Sequence, residues 1–192
     1  MRNRKGFTLL ELLLAIVILA LLLIIAIPKI IEFISSSRKN SYVDTVHEFV
    51  DSIRKDATSE VYEFPIAKSD VTIVSINMVG LEKGGNKSAF NGRWIEDKSY
   101  VAIINVGTDI DPVYSYFVTM LDSKRYALPL MLDNKVNTSS IIRNNYSGSP
   151  VSITPLCGNK DGKYMVISNI AGLEEYKLSQ GWNATVYSND GC

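Results

Sequence analysis

From Phe7 to Ile27 the chain is apolar at 19 of 21 positions, the exceptions being Thr8 and Glu11. As a helix those residues reach roughly 32 Å, enough to cross a bilayer core. Beyond them the pattern becomes one-sided. Ile30, Ile31, Phe33 and Ile34 come first, then Val43, Val46, Phe49 or Val50, Ile53 and Ala57 at three- and four-residue spacing. The run Ser35-Ser36-Ser37-Arg38-Lys39-Asn40, with Asp44, Glu48 and Asp51, forms a solvated face between them. The pattern predicts one helix from Phe7 to about Thr58, ending before Pro65, apolar all round in its first half and amphipathic in its second. Pro28 lacks an N–H and predicts a bend or a locally loosened turn within it.

After Pro65 the period shortens to two. Strands are predicted over Val71–Met78, Tyr100–Val106, Tyr114–Leu121, Tyr164–Ile170 and Trp182–Tyr187. Tyr126–Leu132 contains Pro129 and is expected at best as an edge strand. The Gly-rich stretch around Gly80, Gly84, Gly85 and Gly92 reads as a flexible surface loop, and Thr108–Pro112 as a turn. A helix followed by a run of antiparallel strands makes the fold class α+β. The organisation is a basic leader over 1–6, an apolar helix over 7–28, its amphipathic half over 29–64, and a globular β-rich domain over 65–192.

Composition changes this picture little, but charge sharpens it. Lys+Arg 20 balance Asp+Glu 20, which excludes a nucleic-acid binder working by bulk charge. Residues 1–6 carry Arg2, Arg4 and Lys5 with no acid, which would hold the amino terminus in the cytoplasm. A cleaved secretory signal fits poorly, because the run Leu12–Ile27 exceeds the usual apolar length and Ala26-Ile27-Pro28-Lys29 is no small-residue cleavage site. A plain membrane anchor fits length and orientation but leaves Glu11 unexplained. A carboxylate inside an apolar helix costs several kcal/mol unless paired or neutralised. Proximity to headgroups at the membrane surface is the ordinary explanation.

Lys5-Gly6-Phe7-Thr8-Leu9-Leu10-Glu11 resembles the processing site of type IV prepilins and pseudopilins. The resemblance implies cleavage between Gly6 and Phe7 by a membrane-embedded prepilin peptidase and N-methylation of Phe7. Glu11 matches the family's acidic residue, and Pro28 a proline common in family members. Gly6 has no Cβ, so a protease approaches the backbone closely. The new amine at Phe7 is the nearest cation for Glu11 when such helices bundle, and a buried pair of that kind sets register more than it stabilises. The implied protein is a structural subunit, not an enzyme. It would be held in the bacterial cytoplasmic membrane as a single-pass precursor and then polymerised by pilus assembly machinery into a homo-oligomeric filament outside the cell, alone or with other pilins. The alternatives are a pseudopilin of type II secretion, a competence pseudopilus, or a non-polymerising surface binding protein.

Little else in the chain suggests chemistry. His47 falls in the charged part of the helix with no second ligand at metal spacing. Gly84-Gly85-Asn86-Lys87-Ser88 superficially resembles a phosphate loop but lacks its spacing. Asp161-Gly162 and Asn189-Asp190-Gly191 fit turns as well as they fit calcium, so no metal or cofactor is expected. The four Asn-x-Ser/Thr sites at Asn86, Asn137, Asn145 and Asn183 are expected by chance in so Asn- and Ser-rich a chain.

Cys157 and Cys192 are the only cysteines. Many pilins have a carboxyl-terminal disulfide-bounded loop, which residues 157–192 resemble; two unrelated free thiols are the alternative. A bridge closing about 35 residues would stabilise by roughly 3–4 kcal/mol on chain-entropy grounds. Alkylation before and after reduction checks it: a bridged chain gains label mass only after reduction, whereas free thiols label at once.

Overall fold

The computed structural model describes residues 8–57, 61–67, 70–82 and 84–143, together with the backbone of 163–167 and 182–187. Its contacts divide into two compact units, Met1–Arg38 and Lys39–Cys192. Helix α1, Leu9–Ala57, is continuous, as its hydrophobic pattern predicts, and Pro28 lies inside it. Among the described residues seven strands follow: β1 Asp70–Ser75, β2 Tyr100–Asn105, β3 Tyr114–Leu121, β4 Tyr126–Leu132, β5 Ile142–Arg143, β6 Lys163–Ile167 and β7 Trp182–Tyr187. They form one sheet in the order β5-β4-β3-β2-β1-β7-β6. Strands β1 to β5 pair antiparallel with their sequence neighbours, which makes the fold α+β and pilin-like.

Three strand expectations need correction. The first strand stops at Ser75, short of Met78, and a 3-10 turn, Ile76–Met78, replaces its end. Ser75 pairs with Tyr100, where β2 begins, so no further ladder partner exists. The Ile76 N–H instead donates to the Ser99 carbonyl at 2.9 Å. The sheet is also not wholly antiparallel, because β7 pairs parallel with β1. A long stretch of chain separates the two, and parallel neighbours need such a crossover. Finally, β4 is not the edge strand. It pairs with β3 along most of its length and with β5 at Tyr126 and Ala127. Pro129 is tolerated because Pro129 and Leu130 together face the single residue Thr119, a bulge where ladder donors are missing anyway.

The second half of α1 supplies one side of the core. Tyr42, Val46, Phe49, Val50 and Ile53 recur on one helical stripe and are at most 1% exposed. They pack with Val74, Val101, Ile103, Val118, Met120 and Leu128 of the sheet. The opposite sheet face, with Ile73, Tyr100, Ala102, Ile104 and Phe117, is buried as well. Tyr42 heads the stripe, ahead of Val43. Its hydroxyl donates to the Met120 carbonyl at 2.9 Å, so a polar tip enters the core with a partner. Burial, and then the nearby Asp122 charge, push this phenol well above its ordinary ionisation range. Arg54, near the end of the helix, pairs with Asp51 and with Asp133 and lies 4.6 Å from the centre of the Tyr116 ring.

Two buried polar side chains organise the connections. Asp122, 1% exposed, accepts from the N–H groups of Lys124 and Tyr126, both at 2.9 Å, and from the Ser88 hydroxyl. The same Ser88 oxygen accepts from Phe90 and Gly92 N–H. A Cβ on Gly92 would stand 2.8 Å from the Asp122 carboxyl carbon, so only glycine lets the loop close. The Gly-rich segment, expected as flexible, is thereby pinned to the β3–β4 turn. Asn105 serves the other end of the sheet. Its amide donates to the Ile66 and Thr108 carbonyls and accepts from Gly107 and Val113 N–H, building the Thr108–Pro112 turn.

Replacing Asp122 with Ala takes the acceptor from two partly buried N–H groups and a buried hydroxyl and is expected to cost about 3 kcal/mol. Thermal unfolding of the full chain in detergent measures it, and Asp122→Asn, which keeps one acceptor oxygen, should lose less. Alkali offers a second check. A phenol whose ionisation is raised by folding contributes stability below its unfolded value, near pH 10, and loses it as pH climbs towards the folded value. Stability measured above pH ~10 should therefore fall less steeply with pH in Tyr42→Phe than in the parent chain.

Candidate processing motif and assembly helix

The described chain opens at Thr8, which caps α1. Thr8 carbonyl accepts from Leu12 N–H at 3.2 Å, the first bond of the helix. Thr8 Oγ1 accepts from Glu11 N–H at 3.2 Å, while Glu11 Oε2 accepts from both the Thr8 N–H and the Thr8 hydroxyl at 2.9 Å. This is a reciprocal capping box: each side chain satisfies a backbone donor that the helix start leaves without a partner. The carboxylate also sits where the helix dipole favours negative charge. Glu11 thus has a local function beyond any pairing with a neighbouring cation. The signal was present as Thr8-x-x-Glu11 before an apolar run, a spacing that sequence reading had absorbed into the processing motif.

Beyond the cap, the first half of the helix is exposed among the described residues. Every large apolar residue from Leu9 to Ile34 is exposed, from 44% at Ile34 to 84% at Leu9. Covering one Leu or Ile side chain fully yields about 1.5–3 kcal/mol, so the whole surface represents on the order of tens of kcal/mol left to be gained from lipid or from other chains. The helix is long and apolar enough to cross a membrane. Between Phe7 and Pro28 its single charge is Glu11. Pro28 interrupts neither the helix nor the apolar surface around it.

The remaining sequence candidates separate from this region. Gly6 and Phe7 lie outside the described residues, as do Cys157, Cys192, Asn145, Asp161, Gly162 and Asn189-Asp190-Gly191. Only the backbone of Asn183 is described, within β7. His47 is an exposed helix residue. Asn137 caps a 3-10 turn, Thr138–Ser140, and Asn86 lies in an exposed turn whose carbonyl accepts from Trp94 N–H. Lys87 N–H donates to the Gly84 carbonyl at 3.0 Å and Lys87 bridges to Arg93, so Gly84–Lys87 is a turn that leads into the loop closed at 88–92. Among the described residues no group of His, Cys, Asp and Glu side chains is arranged to hold a metal ion.

Comparison with known proteins bears on the same stretch. Residues 1–27 match the family described as the prokaryotic N-terminal methylation motif. No curated protein and no solved structure matches the chain. The match covers the basic start, the capping box and the apolar helix as far as Ile27, and with that helix it fits a membrane-anchored precursor. The first 27 residues of this chain are thus the prepilin motif of type IV pilins and pseudopilins.

Proposed function

We propose that this chain is the precursor of a structural subunit of a type IV pilus or pilus-like filament. The observation that carries the reading is the prepilin motif joined to an apolar helix whose large side chains from Leu9 to Ile34 are all exposed. In this reading the prepilin peptidase cuts between Gly6 and Phe7 and Phe7 is N-methylated. The helix waits in the cytoplasmic membrane and then leaves lipid for a bundle of identical helices. The globular unit contributes the outer surface of an extracellular fibre, with Cys157 and Cys192 bridged to secure its carboxyl-terminal part. The role is structural and needs no cofactor.

The physics favours transfer between two apolar environments. Lipid and a helix bundle both cover the surface from Leu9 to Ile34, so little hydrophobic energy separates them. What differs is the treatment of charge. In the bundle the Phe7 amine and Glu11 need each other, and a misplaced copy leaves both unpaired in a dry interior. Glu11 then acts as a register device, while its capping box holds the carboxylate at the helix start.

Two substitutions separate the cap from the charge. Glu11→Gln keeps an acceptor for Thr8, as Glu and Gln both close such boxes, but cannot neutralise an amine. If charge sets register, Glu11→Gln and Glu11→Ala both yield a processed chain of mature mass and at least about tenfold less sheared fibre. Normal fibre yield from Glu11→Gln would reduce Glu11 to a helix cap. Gly6→Glu should retain the leader, read directly as the mass of the uncut chain in the membrane fraction.

A further inference from the structure

The two ends of the sheet differ in character. At one end the Thr108–Pro112 turn projects Ile110, which is 97% exposed, between the exposed carboxylates of Asp109 and Asp111. Val113, 54% exposed, and Ile66, 63% exposed, adjoin the same turn. The turn is held rigidly. Thr108 N–H donates to Asp111 carbonyl at 3.0 Å, Asp111 N–H donates back to Thr108 Oγ1 at 3.0 Å, and Val106 N–H donates to Val113 carbonyl at 2.7 Å. Gly107 approaches so closely that a Cβ there would stand 2.5 Å from the Asp111 carbonyl oxygen. From Ser99 to Ser123 the sequence contains no Lys or Arg.

Strand β3 runs from this turn to the other end of the sheet, roughly 25 Å away. There the charge reverses. Exposed Arg93, Lys124 and Arg125 gather where the loop meets the β3–β4 turn, with exposed Lys87 bridged to Arg93. Arg93 N–H donates to Ser123 Oγ at 3.0 Å and Ser123 N–H donates to Arg93 carbonyl at 2.9 Å, which holds the segments that carry these residues side by side. The acid within that turn, Asp122, is buried and occupied by its own three donors. Glu96 and Asp97 lie one turn away beside Lys98 and are partly buried.

One globular unit therefore carries an acidic, apolar tip and a basic seat at opposite ends of the same strand. Surfaces that complement each other at different places on one molecule join copies head to tail, and such contacts propagate an open fibre where they do not close a ring. We propose that in the filament the Asp109-Ile110-Asp111 tip of one copy docks against the Arg93, Lys124 and Arg125 seat of the next. This inference rests on the filament reading above. A single turn covers far less than the roughly 1,000 Å² that a stable interface needs in solution. The contact thus works only at the high local concentration that helix packing creates, and its contribution is register and selectivity among copies.

Reciprocal charge reversal in cells that assemble the full chain tests the contact. Asp109→Lys with Asp111→Lys should lower sheared fibre at least about tenfold, as should Arg93→Glu with Lys124→Glu, because each juxtaposes like charges. All four together should restore yield to within about threefold of the parent, which also shows that the single-end variants are folded. Parent-level fibre from either single-end variant overturns the docking contact, and so does a fourfold variant as poor as its components. Absence of fibres from the parent chain itself, with processed protein in the membrane, would instead remove the filament reading and this contact with it.

Discussion

An apolar helical surface that no part of its own chain has been shown to cover governs this molecule. From Leu9 to Ile34 the helix presents large hydrocarbon side chains on all sides, so water is excluded as its stable surroundings. In the filament proposed above, lipid satisfies it in the precursor and other copies satisfy it after assembly. Because the two coverings are nearly equivalent for hydrocarbon, the choice between them falls to the few polar groups at the helix start. Thr8 and Glu11 are those groups. Their reciprocal hydrogen bonds close the helix end and hold a carboxylate there, where the proposed bundle would supply the neighbouring amine.

The globular unit is built by a different logic. The second half of α1 buries a single stripe against the sheet, and two buried polar residues hold the loops at opposite sheet ends. Asp122 ties the Gly-rich segment to the β3–β4 turn, and Asn105 shapes the Thr108–Pro112 turn. Both connections are therefore fixed in geometry despite their exposure. Rigid ends of opposite charge suit a subunit that meets identical neighbours repeatedly, since little ordering entropy is lost at each contact.

Much of this was legible in the chain because hydrophobic periodicity is a local signal. Helix α1 and strands β2, β3 and β7 follow it closely, and the change of period after Pro65 marks the passage from helix to sheet. What escaped were features that depend on distant partners. The end of β1 at Ser75 is decided by where β2 begins, and the parallel β1–β7 pairing by the return of the chain. Pro129 argued for an edge strand, yet a bulge opposite Thr119 admits it beside β3. Asp122 looks like any turn aspartate until the fold brings Ser88 and the Gly92 backbone against it. At the candidate site the methylation motif over residues 1–27 was legible, whereas the capping box was hidden inside it at Thr8 and Glu11.

Intact-mass spectrometry of sheared surface material and of membranes from one culture tests the account most directly. The fibre fraction should hold the chain from Phe7 onward, one methyl heavier at its amine, and the membrane fraction the same species with uncut precursor. A chain that keeps residues 1–6, or that is processed yet confined to the membrane fraction, would contradict it.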